Sequence, residues 1–132
     1  MVASQAESAD GTGFRGVFLV CQDLRRSLDF YLSLGLSQTR RTNRSAVVSW
    51  GQTALHLHDR LSAEEEETYG VRWQQATTGL VLLFSTNDLE RVWQQAPDSA
   101  KLLPPRNTPW GDRIAMLQDP DGYRLEFRQE SL

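Results

Sequence analysis

This chain carries one local plan twice, and that duplication restricts its fold more than any other feature. Gln22-Asp23-Leu24-Arg25-Arg26 matches Asn87-Asp88-Leu89-Glu90-Arg91 in residue type and in position between flanking elements. Ahead of the first copy, residues 15–21 are apolar and β-branched and are predicted as a strand. Asp23 then caps a helix by accepting from its unpaired N–H groups, with Leu24, Leu28, Tyr31 and Leu32 on one apolar face. Gly35 ends that helix. Strands are predicted at 37–41, 45–50 and 53–58, separated by turn-forming Asn43 and Gly51. In the second half a strand is predicted at 79–85. Asp88 caps a helix whose apolar face is Leu89, Val92, Trp93 and Ala96, Pro97 stops it, and strands follow near Leu102, at 113–117 and at 124–128. The order is βαβββ twice, in halves of about 55–60 residues. One helix per half covers one sheet face and leaves the other for the partner half or a ligand.

Asp119-Pro120-Asp121-Gly122 is a tight β-turn: Pro presets φ at the second position and Gly suits the fourth. In the strand after it, Arg124, Glu126 and Arg128 share one face while Leu125 and Phe127 share the other. A carboxylate is thereby presented on a rigid strand among cations.

The chain has 132 residues and a formal charge of −3, enough for one unit with a core that needs no disulfides. Mild acidity gives no reason to expect nucleic acid or a membrane surface as partner. The single cysteine, Cys21, excludes an internal disulfide, reads as a small buried hydrophobe and fits a reducing compartment. No apolar run reaches the length of a membrane span. Residues 1–13 read as a disordered polar tail without signal-peptide character, so a cytoplasmic protein is expected. The first module is assigned to 14–58 and the second to 79–132. In the connector, 59–78, the run Glu64-Glu65-Glu66-Glu67 reads as a solvated face, and Trp73 as either a lid or a packing contact. No serine elbow, phosphate-cradling loop or dinucleotide fingerprint is present.

The run from Val20 to Tyr31 with Leu34-Gly35-Leu36, and the closing Pro109-Trp110-Gly111-Asp112-Arg113 and Asp119-Pro120-Asp121-Gly122-Tyr123-Arg124-Leu125-Glu126-Phe127, resemble the vicinal oxygen chelate superfamily. The likeness is strongest to its glyoxalase/bleomycin-resistance branch and spans about residues 14–129. It implies an α+β fold of two βαβββ modules whose curved mixed sheets enclose a cleft, and a homodimer. In the superfamily's enzymes a divalent metal sits in that cleft on inward ligands from the first and last strand of each module. Carried over by position, those places hold Gly16, His56, Val81 and Glu126. Gly16 and Val81 offer no metal-binding side chain, so two of four ligands are missing.

Catalytic metals usually have three or more protein ligands. His58, two residues from His56 on the same strand face, could restore a third. The alternative is that both histidines are polar strand-end residues bonded to carboxylates such as Asp59, and that Glu126 pairs with Arg124, Arg128 or Arg113. Phe18, Trp50 and Trp110 are candidates for aromatic cleft walls, joined by His56, His58 and Glu126 as ligand-binding residues. Trp110 has packing as its equal alternative, and Trp93 is assigned to the core.

The expectation is metal-independent binding or sequestration of an aromatic or bulky organic ligand in the inter-module cleft, with no cofactor. The alternative is a lyase, isomerase or dioxygenase acting on vicinal oxygens through one Zn, Ni, Mn or Fe ion held by His56 and Glu126. A domain whose cleft is vestigial is the third reading.

Overall fold

The computed structural model describes residues 11–73 and 79–129. Most of the tail expected at 1–13 lies outside them, as do 74–78 of the connector. The first module runs β1 (Val17–Val20), α1 (Leu24–Ser33), β2 (Ser37–Arg41), β3 (Ser45–Trp50) and β4 (Thr53–His58). The connector carries α2 (Ala63–Tyr69). The second module runs β5 (Val81–Ser85), α3 (Leu89–Gln95), a 3-10 turn (Asp98–Ala100), β6 (Lys101–Asn107), β7 (Arg113–Gln118) and β8 (Arg124–Gln129). Its sheet, ordered β5-β8-β7-β6, repeats the β1-β4-β3-β2 order of the first. In each, the first strand pairs parallel with the last and the other pairings are antiparallel. Both sheets are mixed and unclosed, as the duplicated plan requires.

The strands alternate as a half-covered sheet should. Ala46, Val48, Leu55, Leu57, Ala115, Leu117, Leu125 and Phe127 are buried beneath the helices, and their neighbours face outward. Asp23 and Asp88 cap their helices by accepting from the N–H of Arg26 and Arg91 at 3.3 and 3.2 Å. Two side chains depart from the sequence reading. Leu32 is 38% exposed, while Ser27 and Phe30 are buried. The buried arc of α1 is turned because Ser27 and Tyr31 bond across to the second module. Trp93 is only half-buried against the core, and the Lys101 ammonium sits 5.4 Å from its ring centre.

The Asp-Pro-Asp-Gly turn does more than reverse the chain. Gly122 N–H donates to the Asp119 carbonyl at 3.0 Å, closing the turn. Asp119 Oδ1 accepts from the Asp121 and Tyr123 N–H groups at 2.9 Å each, and Oδ2 from the Tyr31 hydroxyl at 2.7 Å. Asp121 accepts from Gln22 N–H, Ser27 Oγ and Trp73 Nε1. The Tyr123 hydroxyl donates to the Val20 carbonyl and accepts from its N–H. The turn is therefore a polar staple that holds module one and the connector against module two. Trp73, with Arg60 over its ring, is a packing contact in this arrangement.

The glutamate run is helical and only partly solvated. Ser62 Oγ accepts from Glu65 N–H while the Glu65 carboxylate accepts from Ser62 N–H, a capping box, and Gly70 closes α2 at φ +74°. The Arg44 guanidinium grips Glu65 with two bonds at 2.8 and 2.9 Å and holds its carboxyl down at about 2.

Candidate functional site: an aromatic and histidine pocket on module one

Each module leaves one sheet face uncovered by its own helix, and the two faces are laid out alike. On module one, Phe18 of β1, His56 of β4 and Val47 of β3 form a cross-strand row. On module two the corresponding row is Leu83, Glu126 and Met116. The structure thus puts His56 and Glu126 at matching places on separate sheets.

A cavity of about 340 Å³ opens on the module-one face, lined by Arg15, Phe18, Val47, His56, His58 and Tyr69 among others. Phe18 is 36% exposed and stacks on Tyr69, with ring centres 5.0 Å apart and planes at 21°. It also lies 5.6 Å from the His58 ring. Tyr69 was not anticipated as a site residue. The signal that places it is Ser62 followed three residues later by Glu65, a capping box whose helix delivers Tyr69 to the pocket.

Both histidines bond to backbone carbonyls rather than carboxylates, contrary to the Asp59 alternative. His56 Nε2 is 2.8 Å from the Arg15 carbonyl oxygen, and His58 Nδ1 is 2.7 Å from that of Asp59. The Asp59 carboxylate is engaged by Leu24 N–H. Glu126 pairs with Arg128 at 3.4 Å, and Arg128 also binds Asp112 at 2.6 Å, while Arg113 pairs with Glu90.

The other candidates fall elsewhere. Trp50 packs against Phe84 and Phe127, with ring centres 5.8 and 5.9 Å away, and lines a groove shared with module-two residues Ser85, Asp88 and Arg91. Trp110, 67% exposed, stands on a loop that is closed by bonds between Thr108 and Asp112.

The donor set of this chain does not fit the superfamily's metal. Gly16 has φ +118°, and a Cβ there would collide with the Ala54 carbonyl oxygen. The backbone thereby excludes any side chain from the first ligand position. Val81 supplies none at the third. Among the described residues no three His, Cys, Asp or Glu side chains converge on one point. Cys21 is buried and its thiol is pushed up to about 12 chiefly by desolvation, which leaves it inert as a nucleophile.

Fold and site together define a duplicated α+β scaffold with a ligand-sized pocket on a sheet face. A protein from Agrobacterium tumefaciens described as of unknown function shares this fold at 24% identity and TM-score 0.75, over 92% of this chain and 96% of that one. A glyoxalase/bleomycin resistance protein/dioxygenase family enzyme from Burkholderia phytofirmans matches at 16% identity and TM-score 0.73, over 89% and 98%. A bleomycin-binding protein solved with bleomycin matches at 19% identity and TM-score 0.61, over 91% and 100%. No curated protein matches the sequence. The chain belongs to the Glyoxalase/Bleomycin resistance protein/Dioxygenase superfamily, whose family model matches residues 13–127.

Proposed function

We propose that this chain is a metal-independent binder of a small aromatic or bulky organic molecule, working as a cytoplasmic homodimer. The observation that carries the reading is the module-one pocket. It has aromatic and imidazole walls and a volume suited to a small ligand, and just before its first strand stands a glycine whose Cβ would collide with the Ala54 carbonyl, leaving no room for a metal-binding side chain. Sequestration of an antibiotic, as the solved bleomycin-binding protein holds bleomycin, is the activity this scaffold supports without chemistry. The uncovered faces support the dimer. Val81 and Leu83 are 47% and 72% exposed on module two, and a second copy's module-one face would cover them and complete the cleft.

One observation favours the competing reading of a divalent-metal lyase, isomerase or dioxygenase. His56 and Glu126 occupy matching rows, so a face-to-face dimer would bring them together from two chains. Native mass spectrometry of protein purified without chelators separates the two. A metal-free dimer supports the binder; a dimer with stoichiometric divalent metal overturns it.

A further inference from the structure

We infer that the module-one pocket selects planar aromatic molecules carrying an O–H or N–H donor over matched molecules that lack one. This rests on the binding reading above and specifies its ligand.

A carbonyl oxygen has no proton to give, so each histidine must donate to the carbonyl it touches. His56 therefore carries its hydrogen on Nε2, toward Arg15 O, and His58 carries its hydrogen on Nδ1, toward Asp59 O. In a neutral imidazole the other nitrogen is then an acceptor only. The pocket thus holds two histidines of opposite tautomer, leaving His56 Nδ1 and His58 Nε2 as acceptors with no other partner among the described residues. Ser45 Oγ is engaged by Thr42 Oγ1 at 2.8 Å. The stacked Phe18–Tyr69 pair, with His58 tilted against Phe18, offers flat surface to an aromatic ring.

A phenol or aromatic amine satisfies an imidazole acceptor as it enters. Its methyl ether or N-dialkyl analogue strips water from the same nitrogen and returns nothing, which weakens binding by at least about tenfold. The opposing influence is Arg15, whose guanidinium would welcome a carboxylate. Arg15 is exposed at the pocket edge, where solvent screens it.

The test uses the full chain with ring-¹⁵N histidine, read by long-range ¹H–¹⁵N NMR at pH 8. The expected spectrum shows Nε2–H for His56 and Nδ1–H for His58; the opposite tautomer at either residue overturns the inference. Titration then follows with 2-naphthol, 2-methoxynaphthalene and 2-naphthoate. The expected order has 2-naphthol at least about tenfold tighter than the ether, with the shifts concentrated on the two acceptor nitrogens and lost in Phe18→Ala. Equal binding of the ether, or tightest binding of the carboxylate, defeats donor selection and leaves the binding reading standing. If none of the three moves a pocket resonance, both fall together.

Discussion

The Tyr31 hydroxyl donates to Asp119 Oδ2 at 2.7 Å across 88 positions of sequence, and both residues are buried. This bond, with those made by Asp121 and Tyr123, holds the two modules in register. Tyr31→Phe keeps the ring and removes the bond, leaving a buried carboxylate one donor short. Denaturant unfolding at pH 7 is expected to show a loss of about 1.5–3 kcal/mol. A change under about 0.5 kcal/mol would mean that the staple is not stabilising.

Asp119 gives stability an unusual pH dependence. Burial raises its carboxyl to about 6, against the opposing pull of the Tyr31 hydroxyl and the Tyr123 and Asp121 N–H groups. The unfolded chain ionises near 3.8, so between these values the folded state holds a proton that the unfolded state has released. The contribution of this group to stability is therefore greatest below about 3.8 and is lost as pH rises through about 6. Asp119→Asn removes the titration. Relative to that variant, wild type is expected to lose on the order of 2–3 kcal/mol between pH 4 and pH 7. Parallel pH profiles for the two proteins would sink the assignment.

Gly16 is held by backbone geometry. Gly16→Ala is expected to destabilise by about 2 kcal/mol or more, from the strained φ and the collision with Ala54. Gly16→His should suffer at least as much and gain no stoichiometric Zn or Ni, read by elemental analysis of the purified protein.

Phe18 and Leu19 are neighbours with opposite duties. Phe18 faces the pocket and Leu19 is fully buried. Phe18→Ala should abolish aromatic ligand binding at a stability cost near 1 kcal/mol. Leu19→Ala should cost about 2–5 kcal/mol yet leave affinity within a few-fold while the protein remains folded. Calorimetry and denaturation on the pair would expose an exchange of these roles.

Helix α2 is short and depends on its cap. Ser62→Ala is expected to weaken it by about 0.5–2 kcal/mol. That should raise amide exchange over residues 63–69 and loosen Tyr69 from Phe18, so ligand affinity falls while the global unfolding midpoint barely moves.

Most of the architecture was legible before the structure because it is written in near neighbours. The spans of β2, β3 and β4, both aspartate caps and the closing turn follow from alternation, capping and turn chemistry within a few residues. The repeat follows from two such words in equivalent settings. The resemblance offered Phe18, His56 and His58 only as separate cleft candidates; the structure lines one pocket with all three.

Tertiary structure alone decided the rest, because it depends on groups far apart in sequence whose meeting no local pattern encodes. It turned Leu32 outward by bonding Ser27 and Tyr31 to the other module. It made the closing turn a staple as well as a support for Glu126. It brought Tyr69 onto Phe18 and set each histidine against a backbone carbonyl. Gly16 shows the division most plainly: its identity is in the sequence, but the reason for it, the Ala54 carbonyl, exists only once β1 and β4 have paired.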